Sequence, residues 1–364
     1  MLPAFVAETD FALAEPIEKA LMDAVRLGDT GYANATGVAE SFATFARALF
    51  DWSPDPARVV VMPDVLIGVA EMIRVLTKPG DRVVINTPAY PPFWPVLREY
   101  GREIVEVPLA HGVAGWDLDV ERLEAAFADG AAAYLLCNPH NPTGRVFTRA
   151  QLETVAELAN RNGVAVVADE IHAPMTLPGA THTPFVALGD AAAACAVTVT
   201  SASKAFNLPG LKCAVAVAGS EAVRARFADL PADLHARAGN LGVIASIAAF
   251  TDGGPWLRAL IAHLDRNRRL LADLLARQLP AVTYRMPQAS YLAWLDCGAL
   301  GLGDDPAVTF LERGRVALSR GLNFGAEGRG FVRLNFGTSA DLMKETIARM
   351  AASLEYVERR RAQT

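Results

Sequence analysis

Short apolar runs, several of them with no polar face, recur through the first two thirds of the chain, and they set its fold class. Val59 to Val61, Arg82 to Ile85, Ile104 to Val107, Ala133 to Cys137, Val164 to Ala168, Ala196 to Thr200 and Ala214 to Val217 are flanked by turn residues. Several are apolar at successive positions, and a strand of that kind must be covered on both faces. Between them lie amphipathic stretches at helical spacing, among them Val65 to Leu76, Val120 to Phe127 and Ala150 to Arg161. Such alternation builds βαβ units, so the sequence predicts an α/β protein whose larger domain holds a mostly parallel, seven-stranded sheet.

Beyond about residue 250 the pattern changes. Pro255 to Leu279 carries Trp256, Leu260, Ile261, Leu264, Leu271 and Leu275 at helical spacing, and Arg266, Arg268 and Arg269 read as its solvated face. Two strand candidates, Ser290 to Leu295 and Phe331 to Asn335, surround a helical stretch from Ala307 to Arg320, which predicts a smaller α+β domain. The 364 residues suffice for two domains at roughly 150 residues each.

Charge and cysteine usage narrow the partners. The 34 Lys+Arg against 40 Asp+Glu leave a net charge of −6 without a basic block, and nucleic-acid binding needs clustered cations, so no nucleic-acid partner is expected. Cys137, Cys195, Cys213 and Cys297 lie far apart, with no CxxC pair and no metal spacing to His, which predicts free thiols in a reducing cytoplasm. The first residues lack the basic start and apolar core of a signal peptide, and no apolar run is long enough to span a bilayer. A soluble cytoplasmic protein with no membrane partner is expected. The mean hydropathy of +0.22 is high for a soluble monomer and suits an oligomer; Leu241 to Phe250 is a candidate for its buried surface or for the core.

Chemistry concentrates where the predicted strands end. Thr200 to Lys212, following a buried strand, contains Ser201, Ser203, Lys204 and Lys212; its lysine could form an imine with a ligand whose phosphate is held nearby, or the segment is an ordinary Ser-rich turn. Asp169 ends another buried strand, at the rim where open α/β sheets bind ligands. Partly buried there, it needs a cationic partner, for which a protonated pyridine nitrogen, a helix N-terminus or a structural salt bridge would each serve. His172 follows within reach of the same place, unless it is structural.

The loop Asn138-Pro139-His140-Asn141-Pro142-Thr143-Gly144 has two Asn-Pro steps that stiffen it, which suits an amide aimed at a ligand oxygen as well as a tight turn. Tyr90, just past a strand end, can stack on a flat heterocycle or pack under a loop. The helix start at Asp64-Val65-Leu66 offers free N–H groups for a phosphate. Arg333 sits in a strand among apolar neighbours, placed for bidentate capture of a carboxylate or for pairing with a protein acid.

Taken together, these segments resemble the fold type I pyridoxal-phosphate enzymes of the aspartate aminotransferase superfamily, and within it the cystathionine β-lyase-like branch of carbon–sulfur lyases. The Asn-Pro-His-Asn-Pro loop, Asp-Glu-Ile-His at 169–172, the Ser-x-Ser-Lys-x-Phe-Asn motif at 201–207 and the opening Val6-Ala7-Glu8-Thr9-Asp10-Phe11 carry the resemblance, which runs from about residue 2 to about residue 340. It implies pyridoxal 5'-phosphate as cofactor, with Lys204 as its imine-forming residue and later the base that moves the α-proton. It further implies that Asp169 pairs with the ring nitrogen, that Asn141 hydrogen-bonds the ring hydroxyl oxygen with His172 near that same oxygen, and that Tyr90 stacks on the ring. Ser201, Lys212 and the backbone at Val65 and Leu66 would bind the phosphate; Arg333 and Asn141 would bind the substrate, Arg333 taking its α-carboxylate. Tyr32 matches a tyrosine that reaches into the neighbouring subunit, which implies a homodimer. The expected domains are residues 31–249 for the cofactor and residues 1–30 plus 250–364 for the smaller unit.

The activity so implied is α,β-elimination of cystathionine or a cysteine S-conjugate to pyruvate, ammonia and a thiol, with a class I/II aminotransferase as the alternative. Two features depart from the lyase branch: few residues precede Val6, from which a more open site entrance is expected, and Ala33-Asn34-Ala35-Thr36 differs from the usual sequence there. Ser201-Ala202-Ser203-Lys204 also fits the Ser-x-x-Lys motif of serine acyl-transfer enzymes, but the Ser-Asp-Asn and Lys-Thr-Gly companions are absent from the sequence. A non-catalytic aminotransferase-like binding module is the remaining rival, and the presence of both Lys204 and Asp169 argues against it.

Overall fold

The computed structural model of the chain describes residues 1–112 and 115–361, so the last three residues of the expected smaller domain lie outside the described residues. Seven strands form the main sheet: β1 (Val59–Met62), β2 (Arg82–Thr87), β3 (Glu103–Pro108), β4 (Ala131–Cys137), β5 (Ala165–Asp169), β6 (Ala196–Thr200) and β7 (Ala214–Ala218). They lie in the order β1-β7-β6-β5-β4-β2-β3. Only β7 runs against its neighbours; the pairs β6–β5, β5–β4, β4–β2 and β2–β3 are parallel.

The runs without a polar face are covered on both sides. Val83, Ile85, Leu135 and Val167 enter one apolar cluster, while their chain neighbours Val84, Tyr134, Leu136, Val166 and Ala168 enter another on the opposite face. That division is the two-residue period of a strand sandwiched between helical layers. The helix Val65–Leu76 starts at Asp64, whose carboxylate accepts from the Ile67 N–H at 2.8 Å. It lies so close to β6 that a Cβ at Gly68 would stand 2.7 Å from Val199 Cγ1, so glycine there fixes where the helix begins relative to the strand ends.

The second sheet is antiparallel, in the order β8 (Thr283–Tyr284), β9 (Leu292–Asp296), β11 (Phe331–Asn335) and β10 (Ser319–Arg320). Leu2–Pro3 pairs with Val316–Ala317, which brings the first residues beside the last third of the chain. The helix expected over 307–320 is shorter, Pro306–Gly314, and gives way to the strand pieces Val316–Ala317 and Ser319–Arg320. Arg315 takes a left-handed φ of 56° and closes the helix end, and Gly314 packs where a Cβ would meet the Arg349 carbonyl at 2.8 Å. The long helix, Gly254–Gln278, also carries a correction. Arg268 is not solvated: it lies on the stripe of Leu264, Leu271 and Leu275, and its guanidinium donates to the carbonyls of Pro287 and Pro178 and pairs with Asp265. Helix Asn240–Asp252 buries Val243, Ala245, Ala249 and Phe250 within the chain, so the apolar Leu241 to Phe250 segment serves largely as core.

Among the described residues, no helix is long and apolar enough to cross a membrane, no His/Cys/Asp/Glu cluster could hold a metal ion, and all four cysteines are free.

Candidate active site

Several chain segments converge at the carboxyl edge of the parallel strands. Asp169 is the last residue of β5, the Asn138–Gly144 loop leaves β4, and Lys204 rides on the short helical turn Ala202–Ala205 that follows β6. With the helix start at Val65 they enclose a cavity of about 230 Å³ lined by Asp64, Val65, Leu66, Tyr90, Asn141, Asp169, His172, Lys204 and Lys212, among others. Open α/β sheets bind ligands at this rim.

The cavity floor is short of counter-charge. Asp169 is 5% exposed, and no ion pair reaches it among the described residues. Burial pushes its carboxyl up to about 7, against the opposing effects of the Ile171 N–H, 3.1 Å from Oδ1, and of the Lys204 charge. His172 is driven the other way, down to about 3, by burial and then by the charges of Lys204 and Arg333. It is therefore a neutral imidazole, and its buried Nδ1 has no hydrogen-bond partner among the described residues. Burial, aided by Arg333, also lowers the Lys204 amine below its ordinary value, while Nζ donates to the Ala7 carbonyl at 2.7 Å. Tyr90 is partly buried, with its phenol raised by burial and by Asp169, and its ring meets Phe93 edge-on at 5.5 Å.

Arg333 projects from β11 and is 6% exposed. Its Nη1 donates to Asn141 Oδ1 at 3.0 Å, and its Nη2 donates to the Phe5 carbonyl at 2.9 Å and to Ser319 Oγ at 3.2 Å. The guanidinium stands 5.1 Å over the Phe324 ring, and burial lowers its pKa to about 10. Every one of these partners is neutral, so the protein acid that might have explained a buried arginine is absent among the described residues. With its oxygen engaged by Arg333, Asn141 keeps its amide N–H groups as donors toward the cavity.

At the opposite end, Asp64 takes the N–H groups of Ile67 through its side chain and of Gly68 through its carbonyl, leaving those of Val65 and Leu66 at the cavity wall. Lys212, in a left-handed conformation with φ 61°, places Nζ 3.0 Å from Asp64 Oδ2. Ser201 stands behind this wall: its hydroxyl donates to the Cys213 carbonyl at 2.6 Å and accepts from the Ser203 N–H at 3.0 Å. Ser203, to which the sequence assigns no role beyond its place in the Thr200–Lys212 segment, lines the cavity. Tyr32 is 94% exposed and takes no part in the cavity. Tyr291 too has no role assigned by the sequence; nothing in its strand pattern distinguishes it from a core aromatic, yet its hydroxyl reaches Ala7.

A half-buried amine facing a buried carboxyl with no ion-pair partner among the described residues, with a helix start at one end and an arginine at the other, is the layout of a fold type I pyridoxal-phosphate-dependent enzyme. The chain belongs to the aminotransferase class I and II family, whose family model matches residues 8–350. Within that family it groups with proteins named cystathionine β-lyases. It is 43% identical to a Mycobacterium leprae protein provisionally given that name, covering 97% of this chain and 92% of the relative. It is 35% identical to the cystathionine β-lyase PatB of Bacillus subtilis, over 97% of this chain and 92% of that protein. Among solved structures, cystalysin from Treponema denticola, which contains pyridoxal 5'-phosphate, superposes with a TM-score of 0.93 at 26% identity, covering 98% of this chain and 92% of that one.

The residues present fit that cofactor. Asp169 lacks a cation, the imidazole of His172 has an orphaned nitrogen, and the free N–H groups of Val65 and Leu66 beside Lys212 offer an anion cradle. Lys204, Asp169, Asn141, His172, Tyr90 and the helix start would hold it.

Proposed function

We propose that this protein is a carbon–sulfur β-lyase that cleaves cystathionine or a related cysteine S-conjugate to pyruvate, ammonia and a thiol. The observation that carries the reading is the contrast in likeness: 34–43% identity over nearly the whole chain to proteins named cystathionine β-lyases, against 26% to the aspartate aminotransferase of Geobacillus stearothermophilus.

Pyridoxal phosphate, when bound, supplies an electron sink that acidifies the α-hydrogen of an amino acid. The chain's own residues do the rest. Arg333, whose hydrogen-bond partners Asn141, Phe5 and Ser319 are all neutral, takes the substrate α-carboxylate and orients the amino acid; Asn141, its oxygen engaged by Arg333, is held beside it. Asp169, with no cationic partner among the described residues, would hold the ring nitrogen and favour its protonated form. Lys204, its amine lowered in pKa, receives the α-proton as a base. Elimination then breaks the Cβ–S bond, and the thiolate leaves and takes up a proton; water completes release of pyruvate and ammonia.

The same reading makes the protein a cytoplasmic homodimer, supported by four free cysteines and by the exposed Met22, Val25, Leu27 and Tyr32. It also divides the chain at residues 31–249 and 1–30 plus 250–364, supported by the two separate sheets and by the pairing of Leu2–Pro3 with Val316–Ala317. Incubation with cystathionine or S-alkylcysteines, with no keto acid, tests the function: pyruvate and thiol are expected. Turnover only after a keto acid is added would overturn the lyase in favour of an aminotransferase.

A further inference from the structure

The first residues are stitched to the site by every backbone carbonyl from Ala4 to Thr9. Asn335 takes Ala4 through its N–H and Val6 and Glu8 through its amide, Arg333 takes Phe5, and Asn207 takes Thr9. Two of these carbonyls accept twice: Phe5 also takes the Ser319 hydroxyl at 3.0 Å, and Ala7 accepts from Lys204 Nζ at 2.7 Å and from the Tyr291 hydroxyl at 3.0 Å, which ties the lysine of the site to a buried phenol. Tyr291 is fully buried, its ring meets that of His172 at 6.4 Å, and its own carbonyl accepts from Phe336 N–H at 2.8 Å. It is held tightly: a Cβ at Gly337 would stand 3.2 Å from Tyr291 Cβ.

We propose that Tyr291 is a positioning residue for Lys204: its hydroxyl fixes the Ala7 carbonyl and shares it, which sets both the direction and the proton affinity of the ε-amine. A carbonyl already accepting one hydrogen bond stabilises an ammonium less than a carbonyl reserved for it. Tyr291 therefore favours the neutral, reactive amine. The other charged or titratable groups acting on Lys204 are Arg333 and Lys212, which disfavour its charge, Glu8 and Asp169, which favour it, and the neutral His172. Burial holds the Tyr291 phenol protonated, so it remains a donor. The inference rests on Lys204 being the reactive amine of the proposed function.

The test reads Lys204 without turnover. The whole 364-residue chain, freed of cofactor, is trace-labelled with acetic anhydride across a pH series, and acetylation of the Lys204 peptide is measured by mass spectrometry. Tyr291→Phe should move the midpoint upward by about half a pH unit, lowering labelling about threefold at a fixed pH below it. A ring-fluorinated tyrosine at position 291, a stronger donor that keeps every contact, should move it downward. Unchanged midpoints, or a shift in the same direction for both replacements, would overturn the proposal and leave Tyr291 a packing residue. Should Tyr291→Phe fail to fold, the fluorinated protein decides alone. Borohydride trapping of pyridoxal phosphate on wild-type Lys204 is run alongside: its failure sinks the proposed function, while the labelling comparison still decides the role of Tyr291.

Discussion

Arg333 and Asn141, 192 residues apart in sequence, are joined by a 3.0 Å hydrogen bond from guanidinium to amide oxygen. The residue expected to grip substrate and the residue expected to touch the cofactor ring are thus one unit. Arg333→Lys keeps the charge but cannot serve Asn141, Phe5, Ser319 and a carboxylate together. Loss of kcat/KM by about 100-fold, roughly 3 kcal/mol, is expected, with KM carrying more of it than kcat. Steady-state kinetics on an S-alkylcysteine check this; an unchanged KM would refute the assignment.

Asp169 predicts an unusual pH response in the cofactor-free protein. Its folded-state carboxyl, at about 7, lies above the ordinary 3.8, so the folded chain binds the proton more tightly than the unfolded chain. Its contribution is present below the ordinary value and is lost as pH rises toward 7, on the order of 4 kcal/mol in all. The buried imidazoles of His140 and His172, both near 3, have the opposite slope, so a single melting curve mixes the effects. Subtracting Asp169→Asn from wild type in urea titrations between pH 5 and 7 isolates the term; a difference that stays flat across that range would contradict it.

Gly68→Ala should press a methyl group into Val199, only 2.7 Å away, and tilt the helix whose first N–H groups face the cavity. A stability loss of about 1–3 kcal/mol and weaker pyridoxal-phosphate binding are expected together. Val199→Ala in the same chain should recover much of both, whereas simple addition of the two single effects would show that the contact is not the cause.

Lys212→Ala tests the phosphate end. The Lys212–Asp64 pair is half exposed and should contribute less than about 1 kcal/mol to folding, so melting should barely change. Cofactor affinity should fall, and fall further at low salt than at high salt, as fluorescence titration would show.

Much of the site was legible because its residues stand where short buried strands stop, and buried strands announce themselves by lacking a polar face. The Val65–Leu76 helix was readable to the residue from its spacing and from Asp64 before it. The end of the helix at Gly314 was not, because it depends on the Arg349 carbonyl of a distant helix and on a left-handed arginine, neither of which leaves a periodic mark. Arg268 misled for a related reason: an arginine on a helix reads as solvated unless carbonyls from elsewhere, here Pro178 and Pro287, wait for it. The hydroxyls were the least legible. Ser201 and Ser203 are equivalent in sequence logic, but the first is turned to Cys213 and the second borders the cavity.

The grip of Arg333 on Phe5 and Ser319, as well as on Asn141, separates two stages in the birth of the enzyme. Asp64, Asn141, Asp169, Lys204 and Lys212, which border the cofactor side, have all left the ribosome while the strand bearing Arg333 is still unmade. The carboxylate grip must wait for residues more than 300 positions apart to meet, and closing so long a loop is a late event in folding. The residues that border the cofactor are therefore synthesised well before the one that would choose a substrate, and Asn141 gains its arginine partner only at the end.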